Sequence, residues 1–362
     1  MIVGKVRSTA CLFLIVLLFS FFGFKPSPVL TPYVIQLPNY FPPMPVSKTE
    51  SLTLKGVALG RYLFYDPILS SDSTLSCAGC HRQMVAFSDA PNRYSQGHDK
   101  SLQKRNTPPL FNLAWFPKLF WDGRAVSIED QVFQPVRQHD EMNLDWATAS
   151  TRINKSAFYK NKFTDVFGHI PIDSNLIAIA IGEFERTLIS CRSKYDMVLQ
   201  GKAEFTADEA SGFLIVNDMT KGDCLHCHTT DSDPLGTTLG FSNNGLDSIY
   251  DAMQYPDKGR GLVSGSREDF GKFKIPSLRN VAVTPPYMHD GRFNTLEEVI
   301  DFYNDGVHNS ANIDAKMEFN RRRQMHLTSI EKRQVVAFLK ALTDSAFIND
   351  TSFSNPFLTK KR

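Results

Sequence analysis

Apolar residues recur at helical spacing in several stretches of the chain, and no stretch shows strong strand-like alternation. "KGVALGRYLFYD" (55–66) and "DEASGFLIVND" (208–218) read as amphipathic helices, and so do "LIAIAIGEFERTLIS" (176–190) and "EKRQVVAFLKALTD" (331–344). Further helices are expected at 127–136, 144–167 and 295–304, the last opened by a Thr295–Glu298 capping box. Glycine and proline punctuate two long loops, 83–126 and 229–291. The pattern predicts a mainly α fold in two related halves, 47–197 and 198–346, with a tail at 347–362. In each half one helix runs into a short cysteine group and another closes the half. Long loops around few helices need a rigid organiser, and a large cofactor in each half would supply it.

The N-terminal segment changes this picture. Lys5 and Arg7 precede an apolar run from Ala10 to Phe24, and no acidic residue occurs before Glu50. That is the layout of an export signal, so residues 1–25 are set apart from the fold and a periplasmic location is expected. The run is short for a membrane span, which needs roughly 20 residues. It lacks a small-residue cleavage pattern, which leaves an uncleaved membrane anchor open. Cys11, inside the run, reads as a small hydrophobe. Residues 26–46 hold seven prolines and read as an extended linker or an arm along the body, with the fold starting near Ser47. The length of 362 residues suits about two domains, and a formal charge of +2 argues against a nucleic-acid partner.

Export places six cysteines in an oxidising compartment, yet their spacing does not suggest disulfides. Four fall in two C-x-x-C-H groups: Cys77, Cys80 and His81, then Cys224, Cys227 and His228. Residues three and four apart share one face of a helical turn. Two thiols can then bond the two vinyl groups of one haem while the imidazole reaches its iron, the attachment signature of c-type haem. A zinc site would want its second cysteine pair about 15–20 residues away, and a thioredoxin-type pair would want a βαβ context and no histidine. His226, between the second pair of thiols, reads as a surface residue, and Cys191 as a free, half-buried thiol at a helix end. One histidine per iron leaves each sixth position undecided. Two strong ligands make an electron carrier, and a displaceable one makes an enzyme.

The chain resembles the bacterial di-haem cytochrome c peroxidase and MauG family from about Asn39 to Asp344. The resemblance rests on "ALGRYLFYDPILSSDSTLSCAGCH", "KRNTPPLFNLAW", "LFWDGRAVSIEDQ", "EFERTLIS", "IPSLRNVAVTPPYMHDGRF" and "TLEEVIDFY", in that order. It implies two cytochrome c-like helical domains, each with one covalent haem c, and reaction with hydrogen peroxide at the N-terminal haem. Glu141 matches the family's distal acid. Heterolysis of peroxide moves a proton from the near oxygen to the far one, so a carboxylate must take and return it. Gln131 and Pro135 match other pocket positions. Trp121 matches the tryptophan between the two haems, whereas Trp115 and Trp146 read as core. Asn106, Thr284 and Pro286 match calcium ligands at the domain junction, where amide and carbonyl oxygens suit that ion.

Two positions set this chain apart within the resemblance. Tyr303 stands where the cytochrome-oxidising peroxidases place a methionine and MauG-type proteins a tyrosine. His98 stands where many of those peroxidases carry a histidine that blocks the N-terminal iron; the alternative is an ordinary loop residue. Met288, Met317 and Met325 are rival iron ligands without positional support. The expected function is an exported di-haem peroxidase drawing electrons from a small c-type cytochrome or copper protein. One alternative is a MauG-like enzyme that oxidises a partner protein through high-valent haems. Another is a non-enzymatic di-haem electron carrier, which would have no use for Glu141. A homodimer is compatible with any of these.

Overall fold

The computed structural model describes residues 30–45, 52–230 and 233–358. Residues 1–25, expected to be an export segment, lie outside the described residues, with Cys11 among them. The first half holds α1 (Leu54–Tyr65), α2 (Cys77–Cys80), α3 (Ile128–Arg137), α4 (Trp146–Lys155), α5 (Ala157–Phe167) and α6 (Ser174–Arg186). The second holds α7 (Lys194–Leu199), α8 (Ala207–Asn217), α9 (Gly261–Ser264), α10 (Leu296–Asp301), α11 (Ala315–Arg323), α12 (Ser329–Ala341) and α13 (Ser345–Ile348). A short antiparallel pair, β1 (Phe241–Ser242) and β2 (Phe273–Lys274), is the strand structure that periodicity did not signal.

Side-chain caps set most helix starts. Thr53 Oγ1 accepts from Gly56 N at 3.0 Å to open α1, and full capping boxes open α8, α10 and α12 from Thr206, Thr295 and Thr328. Each cap satisfies amides that the helix itself cannot, typically for about 1 kcal/mol. Caps also correct the expected boundaries. The stretch 144–167 is two helices, because Ser156 leaves helical geometry at ψ 112° and caps α5 by accepting from Tyr159 N. The helix expected over 176–190 ends at Arg186, and the one expected over 295–304 passes into a π turn, Phe302–Gly306.

Each half is built on one close helix crossing. α1 packs on α6 and α8 packs on α12. A Cβ on Gly60 would collide with the carbonyl of Ala180, and one on Gly212 with the carbonyl of Gln334. Glycine at these two points lets the backbones touch. Leu59, Leu63, Ile153, Phe163 and Ile181 fill the first core, and Val216, Ile300, Val335, Phe338 and Leu339 fill the second.

Two segments read as peripheral belong to the body. Of the two readings of the proline segment, the arm along the body is the one the fold takes, so the fold does not start at Ser47: Pro32 bridges Thr53, Tyr40 Oη donates to Asp196 at 2.9 Å, and Phe41 packs on Trp115. Tyr40 thereby joins a fully buried ion pair in which Arg279 donates twice to Asp196, at 2.8 and 2.6 Å. The tail returns to the first half, where Phe347 and Phe353 pack with Phe87 and Phe111. Tyr65 Oη donates to Phe353 O at 2.8 Å. Cys191 is fully buried in a loop, and burial pushes its thiol up to about 11. Among the described residues no helix is long and apolar enough to cross a membrane.

Candidate functional site

The N-terminal C-x-x-C-H group opens into a cavity of about 980 Å³, at the upper end of the ~300–1,000 Å³ usual for ligand sites. Cys77, Cys80, His81, Trp121, Gln131 and Glu141 line it, and it extends to Lys274 and His289 in the second half. Cys77–Cys80 form one helical turn, and His81 N closes it by donating to Cys77 O at 2.9 Å. His81 Nδ1 lies 2.8 Å from Phe87 O. A carbonyl can only accept, so Nδ1 carries the proton and Nε2 is left as a metal donor. Burial lowers the His81 pKa, which favours the neutral imidazole that iron requires.

Glu141 sits in the turn after α3 and is pushed up to about 7. Burial is the main cause and Asp140 adds to it, while Arg124 opposes. A carboxyl balanced near neutrality can both take and return a proton. Gln131 on α3 is buried, with its Oε1 unpartnered. Glu185, near the end of α6, lines the same cavity, and burial pushes it up to about 8. Sequence reasoning missed Glu185, because in "EFERTLIS" it sits beside Arg186 and reads as an ordinary charged helix position, and only the fold places it in the cavity.

Trp121 ties the halves together. Its Nε1 donates to Asn106 O at 2.7 Å, and its carbonyl accepts from Lys274 N on β2 at 2.7 Å. Trp115 is buried and Trp146 half-buried, each donating to a backbone carbonyl, as core residues do. His98 is not among the residues lining the cavity. Its Nδ1 pairs with Ser71 Oγ at 3.1 Å, and its backbone N donates to Glu141 O at 2.8 Å. The loop therefore holds the turn that carries Glu141.

The second group is built differently. Cys224–His226 is a 3₁₀ turn, entered through Asp223 in the left-handed region, not an α turn as expected. The backbone relation of the cysteine to the histidine survives, since His228 N still donates to Cys224 O at 2.8 Å. Burial lowers His228 to about 4. His226 is half-buried against Asp223 rather than a free surface residue, because the 3₁₀ turn folds its ring back onto that carboxylate. Tyr303 lies in the π turn and packs, like Cys224, against the second core and, like Met288, against the cluster of Leu246, Phe302, Val307 and Met317. Such a turn often marks a functional position, since one extra residue re-aims the side chains around it. Burial raises the Tyr303 hydroxyl to about 12, against a hydrogen bond from Asn244 that lowers it.

The three calcium candidates lie on two neighbouring turns. Asn106 Nδ2 donates to Arg93 O at 3.1 Å, and Thr284 Oγ1 donates to Val281 O at 3.2 Å. Pro286 and Arg93 both flank Gly291. Among the described residues no group of three or more His, Cys, Asp or Glu side chains is placed to hold a metal ion.

Residues 54–204 match the family model described as di-haem cytochrome c peroxidase. The methylamine utilization protein MauG of Methylophilus methylotrophus is 32% identical over 84% of this chain and 87% of its own length. The chain belongs to the di-haem cytochrome c peroxidase and MauG family. The cytochrome c551 peroxidase of Nitrosomonas europaea is also 32% identical, over 79% of each chain. A crystal structure titled as a MauG-like protein associated with microbial copper homeostasis superposes with a TM-score of 0.81 at 35% identity, covering 90% of this chain and 99% of that one. Membership makes this chain an oxidoreductase of the cytochrome c peroxidase type and implies two haems. Its residues fit that cofactor: each C-x-x-C-H turn presents a half-buried imidazole beside two thiols that burial keeps protonated, with Cys80 and Cys227 at about 11 and Cys224 at about 12.

Proposed function

We propose that the chain is a periplasmic di-haem peroxidase with one covalent haem c in each helical half. Cys77, Cys80 and His81 would hold the peroxide-reacting haem, and Cys224, Cys227, His228 and Tyr303 the second. The bound haems supply one-electron and oxygen chemistry that no side chain offers. The chain supplies the rest. Glu141 takes the proton from the near oxygen of hydrogen peroxide and returns it to the far one, so that water leaves. Gln131 orients the peroxide. Trp121, bonded to both halves, carries oxidising equivalents between them. His98 would keep the loop beside Glu141 in place through its backbone N. Asn106, Thr284 and Pro286 would bind one calcium ion at the junction through amide and carbonyl oxygens.

The observation that carries this reading is Glu141, balanced near neutrality in the cavity of the first C-x-x-C-H group. An electron carrier has no need of it. The donor is expected to be a small c-type cytochrome or copper protein. Tyr303 favours a second reading, MauG-type oxidation of a partner protein, because an anionic oxygen ligand suits higher oxidation states of iron. Intact mass under denaturing conditions should show two haems per mature chain, and the purified protein should consume peroxide with a reduced donor. A single covalent haem, or no peroxide consumption, would overturn the proposal. Consumption without donor turnover, together with oxidation of a partner protein, would move the assignment to the second reading.

A further inference from the structure

Asn244 and Met288 have no part in the chemistry above, yet Asn244 touches both Met288 and Tyr303. Asn244 Nδ2 lies 3.2 Å from Tyr303 Oη and 3.5 Å from Met288 Sδ. A thioether has no hydrogen to give, and a phenolate bound to iron has lost its own. Both neighbours are acceptors, and the amide NH₂ has two hydrogens to match them.

The backbone around this contact is fixed. Asn243 donates to Ala311 O at 3.0 Å and to Tyr255 Oη at 2.7 Å, and its Oδ1 accepts from Gly245 N at 3.0 Å. Gly245 has φ +69°, and a Cβ there would meet His308 O at 2.7 Å and Val307 Cγ1 at 2.8 Å. Met288 sits at φ +75°, a region that costs a non-glycine residue energy and persists only where its surroundings impose it. Tyr287 N donates to Phe293 O at 2.7 Å and Gly291 N to Met288 O at 3.2 Å, and these bonds impose that turn.

We infer that Asn244 is the positioning residue of the second haem's sixth ligand: its amide, anchored on the Met288 sulfur, holds the Tyr303 oxygen and draws negative charge from it. This rests on the assignment of Tyr303 as that ligand. A phenolate that shares its charge with a hydrogen-bond donor is a weaker donor to iron. Ferric iron then gains less from it, and the reduction potential stands higher than the bare phenolate would set it. Met288 acts here as an anchor for the amide, not as a rival ligand.

Asn244→Leu in the holoenzyme removes the donor at similar volume. A hydrogen bond to a charged group is worth about a tenfold shift in equilibrium. The second haem should therefore move about tenfold toward ferric, ~59 mV for a one-electron couple, with the first haem unchanged. In resonance Raman spectra the iron–phenolate stretch should rise in frequency as that bond strengthens. Asn244→Asp keeps the shape but donates only when protonated, so its potential should acquire a pH dependence that the wild type lacks. A wild type with no phenolate mode overturns the Tyr303 assignment and this inference with it. A wild-type phenolate mode that Asn244→Leu leaves unmoved, or an Asn244→Asp potential with no added pH dependence, overturns this inference alone.

Discussion

Replacing Glu141 by glutamine should make the protein slower and more stable at once. The carboxyl is raised from an ordinary 4.5 to about 7, chiefly by burial. Below pH 4.5 both the folded and unfolded states hold the proton, and nothing is lost. Between about 4.5 and 7 the unfolded chain ionises first, so stability falls as pH rises through that window. Above 7 the full cost of the buried charge is present: at 1.36 kcal/mol per unit it is about 3 kcal/mol. Glutamine keeps the shape without the charge. Denaturant titration at pH 8 should therefore find the variant more stable by up to about 3 kcal/mol, with the gain vanishing near pH 4. Catalysis should move the other way. A base must be ionised to accept a proton, so the wild-type rate with peroxide should rise with pH and level above 7. At pH 5 it should lie about 100-fold below the plateau. Glu141→Gln should lose ~10²–10⁴-fold and flatten the profile with both haems still bound. Stopped-flow rates from pH 5 to 9 check this. A variant that keeps the wild-type rate and pH profile would show that the proton moves through another group, with Asp140 and Glu185 the next to test.

Gly60→Ala and Gly212→Ala each force a Cβ onto a backbone carbonyl at a helix crossing, and each should cost ~1–3 kcal/mol by thermal unfolding of the holoprotein. An unshifted melting curve would show that the crossing can open without loss. Tyr303→Met replaces a hard anionic ligand with a soft neutral one, so potentiometry should find the second haem's potential raised; a wild type already at the high potential of a His/Met cytochrome would exclude the tyrosine ligand. His98→Gly should leave the spin state of the first ferric haem unchanged in EPR spectra, since His98 does not line the cavity of His81. A low-spin wild type that turns high-spin in the variant would make His98 the blocking ligand.

The sequence by itself determined the chemistry that depends on local spacing. Both C-x-x-C-H groups, the helices α1, α6, α8 and α12, and the Thr295–Glu298 box are legible because their partners lie three or four residues apart. The resemblance carried Tyr303, Trp121 and Glu141 as candidates as well, the first two inside quoted motifs and Glu141 in the stretch that follows "LFWDGRAVSIEDQ". Tertiary structure decided what depends on contacts between distant segments. The proline segment reads equally as a linker or as an arm along the body, and Tyr40 and Phe41 make it an arm by burying it against residues more than seventy positions away. The tail reads as set apart from the second half, yet Phe347 and Phe353 pack into an aromatic cluster of the first half with Phe87 and Phe111. The π turn at Tyr303, the inward-facing Glu185 and the Asn244 contact carry no local signature. His98 shows the same limit from the other side. Its place in the sequence aligned it with an iron ligand; the fold pairs its Nδ1 with Ser71 Oγ and its backbone N with Glu141 O, and leaves its Nε2 buried without a hydrogen-bond partner. Spacing fixes which groups can share a turn, whereas packing decides which way a loop residue points.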